Sequence, residues 1–344
     1  MKKFWIFRTN LRNLEYYHKY KDLQTFKDNC HDFYLLQGIW YLENDVFDEV
    51  TVWRLNPKEK QKEIVFDVNG KKFIQRWCDS FKETYNLDPP NITLFRGGFP
   101  EYDELTKDQP KQFGISMYLG SGKRVFPQYG GKYKVILLED ERDINKNYQC
   151  SPFYKTANPN IFRPLEKQTK KYDICWVANF SQITQKGQEY FISKIQQNSI
   201  LRKSKIIHCG NQPEVGKKLC KKYAVKNVEF AGWVDRSQLN LLLNQSCCGI
   251  VNSNMKDGCP RAMTEILMSG TPLIVRDETR LLKYYKNQNG IFVYNDNNIS
   301  DKVSEVYNNQ TIIKQKIKDL IDTNLSFSAI CKQNLNSFYT GSWI

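Results

Sequence analysis

From residue 172 onward the chain alternates short apolar runs with amphipathic stretches of about ten residues, and that alternation is what most limits its fold. Asp173-Ile174-Cys175-Trp176-Val177-Ala178 reads as a buried strand. Residues 188–197 follow as a helix, with Tyr190, Phe191 and Ile195 at helical spacing. Residues 205–209 form the next strand, stopped by Gly210, and 213–223 a helix with Val215, Leu219 and Tyr223 on one stripe. Residues 227–231, 248–251, 272–275 and 290–294 are further strands. Between them Asp235 caps a helix burying Leu239, Leu242 and Leu243, Pro260 opens a helix that Gly270 ends, and 279–286 is a third helix. Strands alternating with helices specify a parallel, doubly wound α/β sheet. Such sheets bind ligands beyond the carboxyl ends of their strands, so the loops after Ala178, Cys209, Ala231 and Val251 are where a site is expected.

The first half is less regular. Runs at 4–7, 33–36, 49–53, 92–95, 115–118 and 134–138 read as strands and 73–85 as a helix, which implies a second α/β domain. The Pro-rich, then charged, stretch 158–171 reads as a linker between domains 1–157 and 172–322, with 323–344 packing back on the N-terminal domain. Ile312, Ile313, Ile317, Leu320 and Ile321 mark a late amphipathic helix with Lys314, Lys316 and Lys318 on its wet side. With 20 Phe, 20 Tyr and 7 Trp the composition is that of a folded protein. No apolar run approaches the roughly 18 residues of a membrane span. The first apolar run is also shorter than a signal-peptide core of about 7–15 residues. A cytoplasmic location is expected.

The net charge of +14 favours anionic partners: nucleotides, nucleic acid or an acidic membrane surface. Lysines spread from end to end by coding bias account for it equally well. The ten Cys include no Cys-x-x-Cys, and with only His18, His31 and His208 no zinc ligand set emerges. Buried free thiols are expected. His208 ends a strand, where it either touches a nucleotide or packs as a half-buried imidazole. Trp5, Trp40 and Trp53 read as core or inter-domain packing rather than acceptor platforms, and the acidic run at 139–143 as a solvated loop, as paired carboxylates for acid–base work, or as a contact for a sugar acceptor.

The richest segment is Asp257-Gly258-Cys259-Pro260-Arg261-Ala262-Met263-Thr264-Glu265-Ile266-Leu267-Met268-Ser269-Gly270-Thr271-Pro272-Leu273-Ile274. A loop after a strand opens a helix carrying Arg261 and Glu265. Free N–H groups at that N-terminus suit a diphosphate, and Glu265 suits a ribose diol. The same residues also fit an ordinary helix start with an Arg261–Glu265 surface pair at i,i+4.

This segment resembles the carboxyl-terminal signature of retaining GT-B glycosyltransferases, above all glycosyltransferase family 4. That signature runs acidic residue, Gly, a residue, Pro, and a second Glu eight positions after the first, closed by Gly-Thr-Pro and an apolar strand. Ile161-Phe162-Arg163-Pro164, Gln185-Lys186-Gly187 and Val228-Glu229-Phe230-Ala231-Gly232-Trp233-Val234 resemble other pieces of the family in the same order. The resemblance implies two Rossmann-like domains facing a cleft, and transfer of a sugar from a UDP- or GDP-type donor with retention. The donor is a substrate, and neither cofactor nor metal is required.

By this resemblance Glu265 binds the donor ribose. Asp257, with backbone N–H groups of the following loop, faces the sugar, and Gly258, Cys259, Pro260 and Arg261 bind the donor. Lys186 neutralises the diphosphate leaving group. Gly210, Trp233 and Val234 frame the base. Three differences stand out: Asp257 replaces the usual Glu, no Arg precedes Lys186 in Ala178-Asn179-Phe180-Ser181-Gln182, and no N-terminal His sits at the usual place. Arg261 or Arg163 is then the substitute for the missing Arg. Arg96-Gly97-Gly98 and the segment holding Gly122 and Arg124 are the candidates for the acceptor or sugar side, or are tight turns. The acceptor is open: a glycan, a lipid-linked glycan or DNA. A nucleic-acid-binding protein on an inactive scaffold is the competing reading.

Overall fold

The computed structural model of the chain describes every residue except 9–19, 21, 31, 56–62, 85–86, 98–99, 109–113, 120–132, 139–142, 145, 181–185, 255–260, 280–289 and 341–344. The chain divides into two compact units, Met1–Tyr154 with Ser328–Ile344, and Lys155–Phe327.

The N-terminal unit runs β1 (Lys3–Arg8), α1 (Leu23–Asn29), α2 (Phe33–Glu43), β2 (Glu49–Leu55), β3 (Glu63–Val68) and β4 (Lys71–Cys78). A 3₁₀ turn at Phe81–Thr84 leads to β5 (Ile92–Arg96), α3 (Pro100–Asp108), β6 (Gly114–Leu119), β7 (Val135–Leu138) and β8 (Cys150–Pro152). They form one sheet in the order β3-β4-β2-β1-β5-β6-β7-β8. Every neighbouring pair in it is parallel except β3–β4.

Two expectations fail here. Residues 33–36 are not a strand but the first turn of α2, whose Asp32 N-cap accepts a hydrogen bond from the Tyr34 N–H at 3.2 Å. Nearly every residue from Phe33 to Leu42 is buried, so the helix shows no polar stripe to set its period apart from a strand. Residues 73–85 are not a helix. They contain the end of β4 and the 3₁₀ turn. β3 and β4 form a hairpin closed by Asn69-Gly70, both at positive φ (55° and 78°), the backbone a two-residue hairpin turn demands.

The C-terminal unit runs β9 (Tyr172–Val177), α4 (Gln188–Gln197), α5 (Ser199–Lys203), β10 (Ile206–Cys209), α6 (Pro213–Lys222), β11 (Val228–Gly232) and α7 (Arg236–Asn244). β12 (Ser246–Val251), α8 (Arg261–Met268), β13 (Leu273–Arg276), β14 (Ile291–Tyr294), α9 (Ile299–Asn308) and α10 (Gln310–Thr323) complete it. All its strands are parallel, in the order β11-β10-β9-β12-β13-β14. The strand order turns about β9 and β12, the place where a doubly wound sheet opens a crevice. Ile174, Trp176, Ile250 and Ile274 from the sheet pack with Phe191, Ile195, Val303 and Ile317 from the helices.

Three details differ from the sequence reading. On α6 the buried residues are Gly216 and Cys220, while Val215 is exposed. On α10 Ile313, Ile317 and Leu320 are buried and Ile312 is exposed. The short α5 had not been expected. Asn198 caps it, accepting from the N–H groups of Ile200 and Leu201. The helix expected over 279–286 lies almost wholly outside the described residues.

The final helix, α11 (Phe327–Thr340), belongs mostly to the N-terminal unit. There Phe338 packs on Phe4 and Phe153, Tyr41 Oη donates to the Cys331 carbonyl at 3.0 Å, and the Asn334 amide bonds both ways with the Tyr154 backbone. Trp5 and Trp53 are buried in the same unit, as expected, against Phe7 and each other. The cysteines among the described residues are all free thiols. Among the described residues no helix is long and apolar enough to cross a membrane.

Candidate functional site

At the carboxyl edge of the C-terminal sheet lies a cavity of about 240 Å³. β9 ends into it with Val177, Ala178 and Asn179, and β10 with Cys209, Gly210 and Asn211. The segment after β11 contributes Trp233 and Val234, that after β12 Ser253, and the first turns of α8 Arg261, Ala262 and Glu265. Lys186 and Arg236 complete the polar wall. The residues expected near a nucleotide from the sequence, Lys186, Gly210, Trp233, Val234, Arg261 and Glu265, thus share one cavity. Asp257, Gly258, Cys259 and Pro260 lie outside the described residues, as do Gly98, Gly122 and Arg124.

The local backbone explains how these side chains are held. Gly187 caps α4 with φ 62° and ψ 30°, and a Cβ on it would collide with the Asn252 carbonyl. A side-chain-free residue is therefore needed directly after Lys186, and this tight approach sets where the lysine leaves the chain. Asn179 ties the first two loops together: its Oδ1 accepts from the Asn211 N–H at 3.0 Å and its carbonyl from Gln188 Nε2 at 2.5 Å. Asp235 caps α7 by accepting from the Gln238 N–H at 2.7 Å, which fixes Arg236 at the helix start.

Glu265 is 6% exposed. Its Oε1 accepts from Arg236 Nη1 at 2.7 Å, whereas Oε2 has no partner among the described residues. The carboxylate thus pairs with Arg236 rather than with Arg261, the helical neighbour four residues back. Arg236 is the one charged cavity residue that the sequence reading passed over. Its only signal was a place directly after the Asp235 cap, beside a loop already marked for the base. Arg163, the other substitute considered for the missing arginine, is not among the cavity-lining residues.

The described wall carries three cations, Lys186, Arg236 and Arg261, against one carboxylate, Glu265. Trp233, 73% exposed, offers a flat apolar face in the same wall. Among the described residues no group of three His, Cys, Asp or Glu side chains is placed to hold a metal ion.

His208 takes no part in this wall. It is fully buried, with its ring against Trp176 at 4.7 Å, Phe180 at 4.7 Å and Phe230 at 5.4 Å. Burial pushes its imidazole down to about 4, so it stays neutral. In the N-terminal unit Arg96 and Gly97 end β5, with the Arg96 guanidinium over the Tyr34 ring at 5.0 Å.

Residues 157–322 match the family described as glycosyl transferases group 1. This span belongs to that family. The glycosyltransferase sequence matches none of the curated proteins. Its structure resembles sucrose-phosphate synthase from Thermosynechococcus elongatus, with a TM-score of 0.66 at 10% identity over 98% of each chain. A glycosyltransferase from Rickettsia africae gives 0.65 at 12% identity, over 99% of this chain and 98% of the other. An alpha-glucosyltransferase in complex with UDP and a 13-mer DNA containing an HMU base also gives 0.65 at 12% identity, over 98% and 99%. These likenesses are of fold. The glycosyltransferase has the GT-B architecture, built from two Rossmann-like units.

Proposed function

We propose that this glycosyltransferase transfers a sugar from a UDP- or GDP-type donor with retention of anomeric configuration and without a metal ion. The observation that carries the reading is the meeting of Lys186, Arg236, Arg261 and Glu265 in one cavity at the carboxyl edge of the sheet. Glu265, with Oε1 engaged by Arg236 and Oε2 still able to accept, is set to take a hydrogen bond from a ribose hydroxyl. Trp233 and Val234 frame the base. Lys186 and Arg261 face the diphosphate. As the bond from sugar to phosphate breaks, negative charge grows on the departing oxygen, and fixed cations there stabilise the transition state more than the ground state. Those cations do the electrostatic work that a divalent ion would otherwise do, which is the ground for a metal-independent reaction.

Retention rests on the likeness of residues 257–274 to the retaining signature, with Asp257 and the N–H groups after it facing the sugar. The free thiols are in keeping with a reducing, cytoplasmic setting. The test is turnover of a panel of UDP- and GDP-sugars in EDTA, with the product anomer read by NMR. Release of nucleoside diphosphate with a retained anomer supports the reading. Inversion, or dependence on added metal, overturns the corresponding part.

A second reading is favoured by the net charge of +14: a glycosyltransferase acting on modified bases in DNA. The DNA-bound alpha-glucosyltransferase shares the fold. Binding of duplex DNA that falls steeply with added salt, together with transfer to it, would favour this acceptor over a glycan.

A further inference from the structure

Arg236 joins two segments of the cavity wall in the C-terminal unit. It follows directly on Trp233-Val234-Asp235, the segment after β11, and is the first residue of α7. Its guanidinium reaches across to α8, where Nη1 donates to Glu265 Oε1 at 2.7 Å. The edge from Nε to Nη2 has no hydrogen-bond partner among the described residues, and the side chain is 33% exposed in the cavity wall. The neighbouring backbone donors are already taken: the Gly210 N–H by the Gly232 carbonyl at 2.8 Å, and the Asn211 N–H by Asn179 Oδ1 at 3.0 Å. At this end of the cavity, among the described residues, Arg236 is therefore the cationic donor that a ligand meets.

A guanidinium donates hydrogen bonds and accepts none, and it keeps its charge throughout the working pH range. It therefore favours an acceptor atom on a ligand and opposes a donor. Which atom it meets follows from its two neighbours. Trp233 and Val234 are where the base is framed on the reading above, and Glu265 is where the ribose hydroxyls are held. A group between them lies along the base edge nearest the ribose 2′-hydroxyl. With the base in its ordinary anti orientation, that is the edge a duplex turns to its minor groove. In a pyrimidine it carries O2, an acceptor, whereas in guanine it carries the N2 amino group, a donor.

We propose that Arg236 sets the base preference of the donor site: its free edge donates to the O2 carbonyl of a pyrimidine nucleotide, which selects UDP between the two donor types above, and it excludes guanine by setting N–H against N–H. The assignment rests on the reading of this cavity as the nucleotide-sugar site, with Glu265 at the ribose. A site built to donate leaves its own group unpaired when the ligand presents a donor, and that mismatch is costly. The arginine thus does two separable things. Through Nη1 it orients Glu265, which serves every nucleotide alike, and through Nε and Nη2 it tells one base from another.

The test is calorimetric titration of UDP, GDP and inosine diphosphate into the full chain in EDTA. Inosine diphosphate is GDP without the N2 amino group, so it separates the edge argument from the size of the base. The expected result is UDP bound at least tenfold more tightly than GDP, and inosine diphosphate at least fivefold more tightly than GDP. In Arg236→Gln the UDP and GDP affinities should fall to within threefold of each other, because a glutamine amide can turn its oxygen to the amino group. In Glu265→Gln both should weaken together, with their ratio kept within threefold of the parent. That contrast is one a purely structural role for Arg236 does not produce. GDP bound as tightly as UDP, inosine diphosphate no tighter than GDP, or a UDP preference that survives Arg236→Gln in full overturns the assignment and leaves the donor reading standing. Binding of none of the three overturns the donor reading and the assignment with it. Should Arg236→Gln fail to fold, the comparison of inosine diphosphate with GDP on the parent chain decides.

Discussion

Arg236 Nη1 and Glu265 Oε1 lie 2.7 Å apart, joining two successive helices at the wall of the cavity in the C-terminal unit. The pair holds the Glu265 carboxylate in one orientation before any ligand arrives, and a group fixed in advance loses less entropy on binding. Hydrogen bonds to a charged group contribute roughly 1.5–3 kcal/mol each. Glu265→Gln should therefore weaken nucleoside diphosphate binding by about one to two powers of ten, at about 1.4 kcal/mol per decade. Arg236→Gln should weaken it too, and the double variant by less than the product of the two, because the residues act as a unit. Titration calorimetry on the three variants checks this. Affinity within twofold of the parent for Glu265→Gln would remove it as a ribose ligand.

On the proposed reading Lys186 acts on the diphosphate rather than the base, so its charge should matter most while the leaving group departs. Lys186→Ala should lower kcat by a larger factor than it weakens donor binding, the mark of an interaction made chiefly in the transition state. Steady-state kinetics beside equilibrium binding separate the two effects. An unchanged kcat would show that the residue merely starts a helix.

Gly187 predicts a stability effect. Ala there meets both a φ of 62° and the Asn252 carbonyl, so Gly187→Ala should destabilise the fold by about 1–3 kcal/mol. In a unit of this size Tm should fall by about 2–4 °C per kcal/mol, read by calorimetry. An unchanged Tm would mean that the loop has room to relax.

His208 predicts a pH dependence. Its imidazole takes a proton near 6.5 in the unfolded chain and only near about 4 when folded. Between those values the unfolded state binds more protons, so stability rises with pH across this window and is lost as pH falls from 6.5 towards 4. The full loss is about 3 kcal/mol. His208→Phe keeps a ring among Trp176, Phe180 and Phe230 and removes the titrating group. Urea unfolding at a series of pH values should show a shallower slope between 6.5 and 5 in the variant, and parallel curves would contradict the assignment.

The C-terminal sheet was legible because buried parallel strands such as 173–178 and 248–251 are short apolar runs with Gly or a polar turn at their ends. The same cue misled at 33–36, where a helix buried on almost every side is also a continuous apolar run. Asp32 was the cap that marked it. At 73–85 the spacing of Phe73, Trp77 and Phe81 fits a helix, but residues four apart also share one face of a strand. Asn69-Gly70 was the overlooked signal. Within the site, Lys186, Arg261 and Glu265 stood in recognisable patterns, whereas Arg236 meets its partner across 29 positions, a distance no local pattern spans.

The most direct measurement of the central claim is the melting temperature of the purified chain in EDTA with UDP, GDP, ADP and dTDP at millimolar concentration. A ligand bound only by the folded state stabilises it by about 2.7 kcal/mol at a hundred times its Kd. The account predicts a clear upward shift with UDP or GDP, metal-free, that shrinks in Glu265→Gln. No shift with any of the four nucleotides would contradict it.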